Sequence, residues 1–357
     1  MIVIIYKVMG LLHLQAKHIM VLRFSALGDV AMCLPVLRCL IQTYPELRIT
    51  VVTRKRFSVL FEELPNTIVF SPDFNVANKG IVGLYRLYKT LLAAKPNAIA
   101  DLHNVLRTKI LRSYFAPRFW IRKAELDKGR KAKKQLTRAR QKTLVPLVPQ
   151  IHRYAQVFER LGFPISLDSH EFPSKPLCPN TEALKPDQNK KWIGVAPFAA
   201  HKGKQYPLDL MQKIVAFLQQ DYQVILFGFG REERAQLDVW AKAYKNVVNA
   251  TSVYAFDAEL RLIAQLDLMI SMDSANGHLA ANYGVPIVSL WGATHPCLGF
   301  APFGQTDTNS LTADRQQYPF LPTSVYGNKI RRGYEDAMRS IEPKAVIELA
   351  LKILNKK

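Results

Sequence analysis

The run Val21-Leu22-Arg23-Phe24-Ser25-Ala26-Leu27-Gly28-Asp29-Val30 sets a short apolar strand, a small-residue turn, an acid and a helix in succession. A strand that feeds directly into a helix constrains the chain to an open α/β sheet. Such sheets carry their chemistry outside the carboxyl ends of their strands. A second junction of this kind lies in the carboxyl half, where Leu268–Met272 runs into Asp273-Ser274-Ala275-Asn276-Gly277-His278. One junction in each half predicts two α/β domains sharing a cleft.

The rest of the chain keeps this rhythm. Apolar, β-branched runs predict strands at 19–24, 47–53, 66–70, 98–102, 191–196, 224–227, 246–249, 268–272 and 285–291. Helical periodicity follows Gly28-Asp29, with Pro35 expected to bend that helix, and recurs at 81–92, 207–218, 231–243, 256–265, 279–283 and 343–351. Strictly alternating strands and helices form parallel sheets covered by helices on both faces. The 357 residues suffice for two such domains. The expected division is an appended N-terminal arm at 1–16, an N-terminal Rossmann-like domain at 17–173, a Pro-rich linker at 174–190, and a second Rossmann-like domain at 191–340. A last helix at 341–357 is expected to pack back toward the first domain. The apolar start is interrupted by Lys7 and His13 and is too short to span a bilayer.

The formal net charge of +21 favours anionic partners: nucleic acid, anionic lipid or phosphorylated small molecules. Between Arg118 and Lys142 eleven Lys or Arg face two acids. That stretch is either a solvated helix or loop, or a patch for an anionic surface. It has little aromatic interleaving and no zinc-finger or helix-turn-helix pattern, so no specific nucleic-acid partner is expected. None of the four cysteines are in CxxC spacing, and Cys33 and Cys39 read as small core residues. A cytosolic setting fits them. No G-x-G-x-x-G follows the first strand and Gly228-Phe229-Gly230 is only a fragment of that fingerprint, which ranks a dehydrogenase low.

At the strand ends the polar residues admit two readings each. Asp29 is a helix cap or a general base. Asp273-Ser274-Ala275-Asn276 opens a helix whose N–H groups suit a diphosphate. His278 either supports that loop or touches the ligand. No second histidine or carboxylate stands at ligand spacing around it, so no metal site is expected. Lys204 is a surface charge or a phosphate-side cation.

Three blocks of residues carry a resemblance. They are Arg23 to Val30 followed by Pro35-Val36-Leu37; Asp273-Ser274 with His278-Leu279-Ala280-Ala281, Gly284-Val285-Pro286 and Leu290 to Thr294; and, more loosely, Asp101-Leu102-His103, Arg107-Thr108 and Lys204 to Pro207. In order and spacing the chain resembles the heptosyltransferase family of lipopolysaccharide core biosynthesis, glycosyltransferase family 9, of GT-B architecture. The resemblance implies an inverting, metal-independent transfer of heptose from ADP-heptose, with no cofactor, onto a lipid A-linked core oligosaccharide. It implies work at the cytoplasmic, inner face of the inner membrane, on an anionic surface. It makes Asp29 the catalytic base and Lys204 the phosphate-side lysine. It puts Asp273, Ser274, Ala275, Asn276, His278, His201 and Gly228 on the donor, and Ser25, Gly28, Arg56, His103 and Arg107 on the acceptor.

Two departures bear on the donor. Ala275 stands where many members carry glycine, and Ala199-Ala200-His201 where they often carry hydroxyl residues. These leave open a related transferase using another nucleotide sugar for a surface polysaccharide. A non-catalytic basic membrane- or nucleic-acid-binding α/β protein is the remaining alternative, and retention of Asp29 and Lys204 argues against it.

Overall fold

Strand β1 (His18–Leu22) is buried at all five positions, as an apolar run covered on both faces of a parallel sheet must be. The computed structural model describes residues 18–138 and 143–355, so the arm expected at 1–16 lies outside the described residues, as do Arg140 and Lys142 of the basic stretch. The chain divides into two compact units. One comprises 18–26, Cys33–Lys128 and His152–His170; the other comprises Leu27–Met32, Gly129–Ile151 and the chain from Glu171 onward.

In the first unit β1 pairs with β2 (Arg48–Val52) and β4 (Ala98–Asp101); β3 (Thr67–Phe70) and β5 (Arg122–Glu125) flank them in the order β3-β2-β1-β4-β5. Every pairing is parallel. Helix α2 (Cys33–Thr43) buries Leu34, Val36, Leu37 and Leu40, and the thiols of Cys33 and Cys39 are buried with them. Helices α3 (Gly80–Ala93) and α4 (Leu106–Tyr114) send Leu84, Leu87, Leu91 and Leu111 into a core with Met20, Leu22 and Ile99.

The second unit builds a six-stranded parallel sheet from β6 (Trp192–Ala196), β7 (Gln223–Leu226), β8 (Val247–Asn249), β9 (Leu268–Met272), β10 (Ile287–Trp291) and β11 (Ser310–Thr312). Their order is β11-β10-β9-β6-β7-β8. Connections leave β6 outward to β7 on one side and return to β9 on the other. The point where β6 and β9 meet is therefore the switch point where such sheets bind ligands. Helices α7 (Leu208–Leu218), α8 (Gly230–Ala243), α9 (Phe256–Ala264) and α10 (Ala275–Ala281) complete the alternation. Trp240, Tyr206 and Ile270 are buried in its core.

Several features go beyond the sequence-based expectation. The first-domain span 17–173 is interrupted. Helix α1 (Leu27–Ala31) packs on α10, with the Asn282 amide donating to the Ala31 carbonyl at 3.2 Å. The helix after Gly28-Asp29 breaks at Met32, ahead of Pro35. The basic stretch forms β5 in the first unit and α5 (Arg130–Arg138) in the second. There Lys133 is buried and donates to Gln150 Oε1 at 3.4 Å while lying 4.0 Å from the Phe300 ring centroid. The last helix, α11 (Pro343–Leu354), buries Val346, Ala350 and Leu354 in the core of its own unit with Met211 and Val215 of α7. Residues four apart share one helix face, and that face is buried in the core of its own unit. Among the described residues no helix is long and apolar enough to cross a membrane.

Candidate active site

Because β6 and β9 are neighbours, with Val195 opposite Ile270 and Ala196 opposite Ser271, the loops that leave their carboxyl ends meet. The β6 loop turns through Lys202–Lys204, held by the Lys204 N–H to the His201 carbonyl at 3.0 Å and by Ala293 N–H to the Gly203 carbonyl at 2.8 Å. Lys204 Nζ lies 2.8 Å from Asp273 Oδ2 and donates to the Asp273 carbonyl at 3.1 Å. The Asp273 side chain is 5% exposed, so the pair is shielded from water and each charge depends on the other. Gly327, at φ +75°, lies across the lysine's methylenes: a Cβ there would be 2.4 Å from Lys204 Cγ. Tyr206 closes the loop, its hydroxyl donating to the Ile341 carbonyl at 2.6 Å.

Next to this pair begins α10. Ser274 occupies its N-cap position in an extended conformation, yet its side chain makes no capping bond. Its hydroxyl is buried and has no hydrogen-bond partner among the described residues. A serine at this position normally serves its own helix. Here the hydroxyl and the first N–H groups of the helix are left for something else. The other helix start, at Gly228–Gly230, is already answered, because the Phe229 N–H donates to the Glu233 carboxylate at 2.7 Å. The start of α8 is thus satisfied by its own Glu233, whereas the carboxylate nearest the start of α10, Asp273, is paired with Lys204.

His278 lies one turn into α10 and is buried. Burial pulls its pKa below the ordinary histidine value; the carboxylates of Asp273 and Asp29 pull the other way without prevailing, and Lys204 adds to the lowering. The imidazole is neutral at pH 7, and its Nδ1 has no hydrogen-bond partner among the described residues. Gly28 explains how α1 comes so close: a Cβ at Gly28 would stand 3.0 Å from His278 Cδ2 and 3.5 Å from Ala275 Cα. The structure thus gathers Gly28, Asp29, Lys204, Asp273, Ser274, Ala275 and His278 in one unit. Asn276 follows on the first turn of α10. The His201 side chain is exposed, and that residue contributes its carbonyl to the lysine turn.

The remaining expected residues follow strand ends of the first sheet. Ser25 comes after β1, Arg56 after β2, and His103 and Arg107 after β4, which puts all four at one edge. Arg23 Nη1 donates to the Leu102 carbonyl at 2.6 Å, and the His103 ring meets Phe24 edge-on at 5.5 Å. Arg107 lies 4.3 Å over the Phe74 ring, and exposed Arg56 4.5 Å over Phe57. Asp101 organises this edge. Its Oδ1 accepts from His103 N at 3.0 Å and Asn104 N at 2.7 Å, and its Oδ2 pairs with Arg112 Nε at 3.0 Å. Sequence reasoning missed Gly327 and the segment around it, although Gly327 stands two residues before Lys329, with Arg331 and Arg332 following.

Two parallel sheets of Rossmann type, the second carrying a lysine and an open helix start at its switch point, are the architecture of the GT-B glycosyltransferases. The glycosyltransferase family 9 (heptosyltransferase) model matches residues 84–329, and the chain belongs to this family. It is 23% identical over 308 residues to the lipopolysaccharide core heptosyltransferase OpsX of Haemophilus influenzae, covering 82% of this chain and 83% of that one. Its fold is similar to the glycosyltransferase family 9 structure from Veillonella parvula, with TM-score 0.75 and 20% identity over 96% of this chain and 98% of that one. It is also similar to the Escherichia coli ADP-heptose lipopolysaccharide heptosyltransferase II, with TM-score 0.65 and 17% identity over 94% of this chain and 98% of that one.

Proposed function

We propose that this protein moves heptose from ADP-heptose to a lipid A-linked core oligosaccharide, inverting the anomeric centre without a metal. Family membership supports heptosyl transfer, and the relatives named for lipopolysaccharide and ADP-heptose support the substrates. The observation that carries the chemistry is the Lys204–Asp273 pair beside the open start of α10.

The acceptor hydroxyl gives its proton to the Asp29 carboxylate as its oxygen attacks the anomeric carbon. The bond from that carbon to the donor phosphate breaks, and ADP leaves with the electron pair. Negative charge then grows on the diphosphate. Lys204, the Ser274 hydroxyl and the first N–H groups of α10 answer it, and donors aimed at developing charge are the larger part of such catalysis. Asp273 keeps the ammonium of Lys204 in place. His278, neutral and packed against Gly28, fixes the turn that presents Asp29. Asn276 contacts the donor at the same helix start. Gly228 and His201 border the donor at the neighbouring loops, while Ser25, Arg56, His103 and Arg107 bind the acceptor. Among the described residues no cluster of three or more His, Cys, Asp or Glu side chains is placed to hold a metal.

The protein works on the cytoplasmic side of the inner membrane, held peripherally on anionic lipid. The +21 charge supports this, as do Phe119 and Trp120, 87% and 61% exposed, with Arg118 5.9 Å over the Trp120 ring. Aromatic rings beside cations favour the interfacial layer of a bilayer.

The test is transfer to a truncated core acceptor from ADP-heptose, UDP-sugars and GDP-sugars in parallel, with and without chelator, read by mass spectrometry and product stereochemistry. A product one heptosyl unit heavier, inverted and indifferent to chelator, is expected. Transfer from a UDP- or GDP-sugar alone would replace the donor, and loss of activity with chelator would contradict the metal-independent mechanism.

A further inference from the structure

The second unit also holds a half-open pocket of about 140 Å³ between the end of α5 and the segment 320–331. At ~30 Å³ per water it has room for about five waters, the scale of a phosphate group with part of its hydration. Arg138, Lys329 and Arg331 line it, and none of the three forms an ion pair among the described residues. Arg331 is held in place by aromatic rings, 4.2 Å over Phe320 and 5.8 Å over Tyr334. Thr137 and Thr323 supply the hydroxyls of the lining. The Thr137 hydroxyl is committed to the Lys133 carbonyl at 3.1 Å. The Thr323 hydroxyl is buried and has no hydrogen-bond partner among the described residues. Buried hydroxyls are nearly always satisfied, so the Thr323 hydroxyl in this lining has a proton to give to a bound acceptor.

We propose that this cavity is a phosphate-monoester site, in which Arg138, Lys329 and Arg331 meet the phosphate oxygens and Thr323 donates to one of them. Guanidinium groups match the geometry of phosphate oxygens, and charge-assisted bonds of this kind are the strong ones. The site is separate from the donor loop yet tied to it. The Thr323 N–H donates to the Ala293 carbonyl at 2.9 Å, and the Ala293 N–H donates to Gly203, next to Lys204. A phosphorylated group seated here is therefore anchored to the strand end that also steadies the catalytic lysine. That the phosphate belongs to the sugar acceptor rests on the heptosyl-transfer reading; that the cavity takes phosphate does not.

The first measurement needs no turnover: calorimetric titration of the whole protein with inorganic phosphate at low salt, beside Lys329→Ala/Arg331→Ala and the near-isosteric Thr323→Val. Binding by the parent, weakened about tenfold or more in both variants, is expected, since tenfold is the loss of about one charge-assisted bond. No binding, or equal binding by parent and variants, overturns the site. Two further arms identify the source. If the phosphate is on the acceptor, the variants raise KM for a phosphorylated core acceptor about tenfold. KM for the dephosphorylated acceptor, KM for the donor and kcat then stay unchanged. If it is a lipid headgroup, the variants lose binding to phosphatidic acid vesicles over phosphatidylcholine ones and all kinetic constants stand. A change in neither arm overturns the proposal.

Discussion

Lys204 and Asp273 are 69 residues apart in sequence and 2.8 Å apart in space, joined because β6 and β9 are neighbours in the sheet. Removing one partner of a shielded pair leaves the other charge buried alone, at a cost of roughly 3–5 kcal/mol. Lys204→Ala is therefore expected to lose both turnover and thermal stability. Adding Asp273→Asn should recover much of the melting temperature and none of the turnover. Equal stability of parent and Lys204→Ala would show the pair to be slack. Full activity in the double variant would remove the lysine from catalysis.

Gly28 is where α1 touches α10. Gly28→Ala puts a methyl 3.0 Å from His278 Cδ2, so the ring or α1 must give by a few tenths of an ångström. Overpacking of this kind costs about 1–3 kcal/mol. Displacing the adjacent Asp29 lowers kcat by about tenfold or more, because catalysis is sensitive to small misplacement. Donor affinity, measured by calorimetry with ADP, is expected to hold. An unchanged kcat would show that Asp29 does not depend on this contact.

Burial, with Arg38 nearby for one and Arg315 for the other, lowers His170 and His295 to about 4. His295 Nδ1 also accepts from the Cys297 N–H at 3.1 Å, which requires that nitrogen to be unprotonated. In the unfolded chain both titrate near 6.5. Below that pH the unfolded state takes up protons the folded state refuses, so stability is full above about 6.5 and falls toward about 4. Glu259, raised to about 7 by burial, works in the opposite direction as pH falls below about 7. Single variants separate the contributions. His295→Gln, whose amide oxygen still accepts from Cys297, is expected to flatten the loss of unfolding free energy between pH 7 and pH 5 by about 2 kcal/mol. A parallel loss in parent and variant would contradict the assignment.

Much of this fold was legible in the sequence because central parallel strands are continuous apolar runs: Leu268–Met272 has the predicted bounds, and β1, β2 and β6 agree within one or two residues. The edges were not. β5 reads Arg-Lys-Ala-Glu and β11 is only Ser-Leu-Thr, so neither carries an apolar signal; their pairing to β4 and β10 makes them strands. The junction residues Asp29, Asp273 and Ser274 were visible because they follow apolar strands directly, and Lys204 through the family resemblance. Gly327 was not, because it reaches Lys204 through a loop whose path depends on tertiary contacts. For the same reason the stripe of α11 showed which face is buried and not that the core of its own unit buries it.

The central claim is that Asp29 takes the acceptor proton while the second unit holds the donor. The direct measurement is steady-state transfer by Asp29→Asn with the best donor, beside calorimetric binding of ADP to the same variant. A kcat lower by about 10²–10⁴-fold, the scale of losing an acid–base group, is expected, with ADP affinity within a few-fold of the parent. Turnover within about threefold of the parent, with the same product stereochemistry, would contradict it, since a carboxamide cannot accept that proton.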